Sequence, residues 1–105
     1  MNVLKRKKYV YSQGSLMPYY VYIIRCKDGS YYTGHTKDFK KRFELHKNGY
    51  GSRYTRLHKP EELVFVEKFE NSSDAIKREK QIKTFSHERK SRLINNQNNL
   101  NWILE

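Results

Sequence analysis

Apolar and polar residues along this chain change period several times, and each change marks an element. Tyr19 to Cys26, YYVYIIRC, is a β-branched and aromatic run that predicts a strand. Lys27-Asp28-Gly29 is turn chemistry, and Ser30 to Thr36, SYYTGHT, predicts a second strand, closing a hairpin. Asp38 caps a helix reaching about Lys47, closed by Asn48-Gly49. Gly51 to Lys59 reads as a basic, irregular loop ending at Pro60, and Glu62 to Phe69 as a third strand. Asn71-Ser72-Ser73-Asp74 caps a helix over Ala75 to Phe85, and Ser86 caps another to about Asn95. The order β-β-α-β-α-α predicts an α+β domain, a small three-stranded antiparallel sheet flanked by helices. That domain spans 17–95. Residues 1–16 read as a basic, poorly ordered extension, and 96–105 as an Asn-rich tail, weakly ordered unless Trp102 and Ile103 dock.

The hairpin has two possible registers. A two-residue turn at Asp28-Gly29 pairs Tyr22 with His35 and puts Tyr22 and Tyr32 on opposite faces. A three-residue loop, with Gly29 left-handed in a G1 bulge, pairs Tyr22 with Gly34 and Ile24 with Tyr32. Both rings then share one face, and this is the register we expect. Gly34 reads as a close backbone approach, to a side chain or to a ligand, or as a simple bulge.

Helical phase picks out polar residues in apolar places. At about 100° per residue, with Ala75 at 0°, Ile82 falls near −20°, Ile76 near 100° and Glu79 near 40°. Glu79 therefore lies inside the apolar stripe, where a carboxylate needs an arginine or a metal ion beside it. With Phe39 at 0°, Phe43 lies at about 40°, His46 at about −20° and Arg42 at about −60°. Arg42 rises from the edge of that stripe, either snorkelling or aiming its planar fork at a phosphate.

Charge narrows the class of partner. Lys and Arg total 22 against 11 acidic residues in 105, a net charge of +11 with a pI near 9.8. Such an excess attracts polyanions and releases their counterions, which points to nucleic acid. No bulky-faced basic amphipathic helix argues for a membrane surface, and no apolar run is long enough to span one. Cys26 is the single cysteine, so no intrachain disulfide forms, and a reducing, cytoplasmic setting is expected.

Tyr20-Val21-Tyr22 and Tyr32-Thr33-Gly34, with Arg42 on the first helix and Glu79 on a later one, form an ordered set. This set resembles the GIY-YIG nucleases. The likeness covers roughly Tyr19 to Leu93 and is nearest to the short stand-alone bacterial (YhbQ-like) members, through Arg53-Tyr54-Thr55-Arg56 and Glu79-Lys80-Gln81-Ile82-Lys83. It is also similar to the N-terminal nuclease domain of the repair protein UvrC. The resemblance implies a monomeric phosphodiester hydrolase using one Mg²⁺ or Mn²⁺ held by Glu79, acting on DNA ahead of RNA, in repair or recombination. It implies Arg42 as the stabiliser of phosphate charge and a tyrosine as base, with Tyr32 favoured, Tyr22 positioning it, and His35 an alternative proton acceptor. Gly34, Arg53, Tyr54, Arg56 and Lys83 are the expected nucleic-acid contacts. The sequence departs from the family pattern at His35, where many relatives carry Lys, and at His46, where a tyrosine often sits. It departs again at Ser91, in place of an asparagine. One rival is a non-catalytic DNA- or RNA-binding module on the same scaffold. A second is a small ribosome-associated protein, in which Glu79 and Arg42 lie far from both tyrosines.

Overall fold

The apolar run Tyr19–Cys26 forms the middle strand, β1, of the sheet in the computed structural model, which describes residues 18–97. The basic extension at 1–16 and the tail residues Trp102 and Ile103 lie outside the described residues. Strand β2 (Tyr31–Thr36) and strand β3 (Pro60–Phe69) flank β1, both antiparallel to it, in the order β2-β1-β3. Being central, β1 is covered on both faces, which is why Tyr19 to Ile24 is apolar at successive positions rather than alternating. Val21, Ile23 and Ile24 are fully buried.

The hairpin adopts the three-residue-loop register: Tyr22 faces Gly34 and Ile24 faces Tyr32. Gly29 sits at φ 86°, the left-handed conformation that the bulge requires. In β3 an irregularity between the partners of Ile23 and Ile24 skips Val64. Strict alternation would put Leu63 and Val66 on opposite faces, whereas the bulge turns both toward Tyr22 and Ile24.

Helices cover the two faces unequally. Helix α1 (Phe39–Lys47) starts at Asp38, whose carboxylate accepts from Lys41 N, and lays Phe39 and Phe43 against the face carrying Tyr22, Ile24 and Cys26. Helices α3 (Ser72–Lys83) and α4 (His87–Asn96), capped by Asn71 and Ser86, cover the other face. There Ala75, Ile82, Phe85, Leu93 and Ile94 pack on Val21, Ile23 and Phe65.

The segment expected to be an irregular loop contains a helix. Ser52 caps α2 (Arg53–His58), accepting from Thr55 N at 3.1 Å. Six residues are too few to be helical through local propensity, so burial of Thr55 against the domain holds this turn in place. The element order is therefore β-β-α-α-β-α-α. Beyond α4, the Gln97 amide donates to Val66 O at 2.6 Å and accepts from Val66 N at 3.1 Å, closing the free edge of β3.

Candidate active site

Gly34 builds the site by lacking a side chain. A Cβ there would lie 2.6 Å from the Tyr22 hydroxyl, so the Tyr22 ring lies across β2 directly over this glycine. The close approach is thus to a side chain of the protein itself. Tyr22 is 3% exposed, and its hydroxyl lies 2.8 Å from His46 Nε2. His46 Nδ1 lies 2.6 Å from Thr55 Oγ1, which bonds in turn to Ser52 Oγ at 2.9 Å and donates to Ser52 O at 3.3 Å. With the Thr55 proton directed at Ser52 O, Thr55 accepts from His46 Nδ1–H, and the bare Nε2 accepts the Tyr22 proton. This buried chain links β1, α1 and α2. Gly51 completes it, because a Cβ at Gly51 would overlap the His46 ring.

Burial dominates the protonation of both groups. It raises the Tyr22 phenol well above its ordinary value, helped by the neighbouring Tyr32 and Glu79 and opposed by Arg42. It lowers His46 to about 4, with the Arg42 charge adding to the effect. Both therefore stay neutral near pH 7. An unfolded histidine titrates near pH 6.5, so between about pH 6.5 and 4 the unfolded chain binds the extra proton and stability falls as pH falls. The full span amounts to roughly 3 kcal/mol. Urea midpoints from pH 7 to 5 should drop steadily in the wild type and stay nearly flat in His46→Gln, a window in which ordinary carboxylates do not titrate.

Tyr32 lies nearer the surface, its ring centroid 6.2 Å from that of Tyr22 and 5.0 Å from that of His46. Arg42, on α1, is half-buried, and among the described residues no carboxylate pairs with it. Its charge reaches both Tyr22 and His46. Glu79, on α3, has a side chain only 12% exposed, as its place in the apolar stripe requires. Oε1 meets His35 Nδ1 at 2.5 Å, and Oε2 meets Lys83 Nζ at 2.8 Å. Burial alone would raise the Glu79 carboxyl, but the bonds from Lys83 and His35 outweigh it and hold the group ionised. Its charge, like that of Arg42, is felt at the Tyr22 hydroxyl.

Residues 18–93 match the GIY-YIG catalytic domain family. The chain belongs to it. It is 51% identical over 76 residues to UPF0213 protein SSP2268 of Staphylococcus saprophyticus, covering 72% of this chain and 93% of that protein. A UPF0213 protein of Staphylococcus aureus is 47% identical over the same span, with the same coverage. Among solved structures, the UPF0213 protein BH0048 of Bacillus halodurans superposes with a TM-score of 0.53 at 37% identity, covering 82% of this chain and 92% of that one. EF2693 of E. faecalis gives 0.54 at 31% identity, covering 87% and 92%. These likenesses place the domain among short bacterial members of a nuclease family, with the α+β fold expected of them. No described helix is long and apolar enough to cross a membrane.

The remaining expected residues of this GIY-YIG chain divide. His35 pairs with Val21 across the hairpin, so it projects from the face opposite Tyr22 and Gly34 and reaches Glu79 instead. Lys83 is engaged by Glu79 rather than standing free. Arg53 and Arg56 are exposed on α2. Tyr54, 36% exposed, stacks on His58 at 4.0 Å and lies 6.0 Å from Tyr32. Ser52 and Gly51 were not singled out in the sequence, and Thr55 appeared there only within the Arg53-Tyr54-Thr55-Arg56 motif. Hydrogen bonding across |i−j| of 24 leaves no periodic trace, and only the placement of His46 within an apolar stripe hinted at it. For a metal ion, no group of three or more His, Cys, Asp or Glu is gathered among the described residues. A single shielded, ionised carboxylate nevertheless suits an ion that keeps most of its water and takes the rest of its ligands from substrate phosphate. Glu79 is that carboxylate.

Proposed function

We propose that this chain is a divalent-metal-dependent nuclease that hydrolyses phosphodiester bonds, in DNA ahead of RNA. One observation carries the reading: the Tyr22 hydroxyl lies under the influence of both Arg42, a half-buried cation with no carboxylate partner among the described residues, and Glu79, a shielded anion. Glu79 takes its counter-charge from Lys83 and His35, which leaves the Arg42 fork available to an anionic ligand.

Arg42 offers its planar fork to the non-bridging oxygens of a phosphate and stabilises the charge that develops on them. Tyr22, neutral and committed to His46, fixes the geometry rather than taking a proton. Tyr32, nearer the surface, would accept the proton of the attacking water as the phenolate, a form that the Arg42 cation or a bound divalent ion must favour. Glu79 would hold a divalent ion, which when bound would supply Lewis-acid polarisation of the phosphate and neutralise charge at the leaving oxygen. The net charge of +11 holds the polyanion, with Arg53, Tyr54 and Arg56 on α2 beside the tyrosines as its first contacts.

The test is a labelled oligonucleotide incubated with the purified chain, with Mn²⁺ or Mg²⁺ and with chelator. Products that appear only with the ion support the reading, whereas retention of the oligonucleotide without products in every condition makes the chain a binding module. Arg42→Ala should lower the cleavage rate about a hundredfold with little change in the unfolding midpoint, since the side chain it removes has no carboxylate partner among the described residues.

A further inference from the structure

We propose that His35 and Glu79 together make an imidazole–carboxylate site that takes a first-row divalent transition ion, with Mn²⁺ preferred over Mg²⁺. The proposal rests on the metal-dependent reading above and adds to it the ligand set and the class of ion.

Alternation along β2 turns His35 away from the tyrosines and toward α3, where Nδ1 meets Glu79 Oε1 at 2.5 Å. Nitrogen and oxygen donors from two separate elements are thus already adjacent. Two neighbouring ligands of one ion lie about 3 Å apart, given bonds of about 2.1 Å, so the imidazole has only to back off by about half an ångström. The His35 side chain is 36% exposed and has room to do so, while Glu79 is the shielded partner at 12%. Lys83, 53% exposed on a flexible stem, occupies the other carboxylate oxygen and is free to swing into water. An all-oxygen site suits Mg²⁺, whereas an imidazole nitrogen shifts preference toward the first-row transition ions.

A second imidazole–carboxylate pair, His58 with Asp28, is the internal comparison. Asp28 Oδ1 already accepts from Ser30 N and Ser30 Oγ, and the pair sits exposed at the hairpin turn. His58 is therefore not expected to ligate.

The experiment is Mn²⁺ titration of the untagged full-length protein followed by electron paramagnetic resonance, with pulsed measurement of ¹⁴N coupling on the bound ion. The expected result is one imidazole coupling in the wild type that excess Mg²⁺ does not erase. In His35→Gln the coupling disappears, affinity falls about tenfold or more and Mg²⁺ competes. In Glu79→Gln binding is lost, and in His58→Gln nothing changes. The proposal is overturned by bound Mn²⁺ without nitrogen coupling, by coupling that survives His35→Gln or vanishes in His58→Gln, by ready displacement with Mg²⁺, or by no binding at millimolar Mn²⁺. Should His35→Gln fail to fold, the wild-type coupling and the Mg²⁺ competition decide alone. Nuclease action is scored separately. Mn²⁺ held through His35 with no oligonucleotide cut leaves this site standing and removes the nuclease reading, and cleavage without nitrogen coupling does the reverse.

Discussion

Glu79→Gln should lower the single-turnover rate of oligonucleotide cleavage by about a thousandfold, the loss expected when several kcal/mol of charge stabilisation by a metal ion are removed. Glutamine keeps the volume and one acceptor oxygen, so the shielded position between His35 and Lys83 stays filled. The fold should change by only about 1 kcal/mol, the worth of the altered hydrogen bonds. Rate and stability are therefore expected to separate widely. A variant that cut nearly as fast as the wild type would remove Glu79 from the mechanism. If instead unfolding tracked the lost activity, the residue would be a structural ion-pair partner.

Gly51→Ala should damage the molecule differently, through stability first. The added methyl would overlap Nδ1, Cγ and Cε1 of His46, a ring 1% exposed and fixed at both nitrogens. It cannot move without breaking its bond to Tyr22 or to Thr55. Overpacking of this kind costs about 2–3 kcal/mol, which for a domain this small shifts Tm by roughly 10–20 °C. Gly34→Ala is the milder comparison. Its methyl meets mainly the outer end of the Tyr22 side chain, with 2.6 Å to the hydroxyl, so the phenol can be pushed off His46 with less damage to the core. Thermal unfolding of the two variants side by side checks the order.

How much of this was legible in the sequence follows from what each feature depends on. Strand β1, the Asp38 cap and the shielding of Glu79 all come from local pattern, and the structure places them as the pattern requires. The hairpin took the expected three-residue-loop register, although Gly29 alone did not decide it, since a two-residue type I′ turn at Asp28-Gly29 also needs a left-handed residue there. Helix α2 was missed because its six residues fold through tertiary burial of Thr55, not through a periodic face of their own. The placement of His35 could have been had from the register itself. Once Gly34 lies beneath Tyr22, its neighbour must point to the other side of the sheet. What no register could supply is the Tyr22–His46–Thr55 chain, since its partners meet only when α1 and α2 both pack.

The position of β1 in the sheet has a consequence for synthesis. The hairpin is complete by residue 36, but β1 gains its second neighbour only when Tyr19 pairs with Phe69, and the carboxylate follows ten positions later. A nascent chain therefore carries its tyrosines and its arginine well before it carries an anion to set against them. On the nuclease reading proposed above, the site is complete only once α3 docks, after the hairpin and α1 have formed.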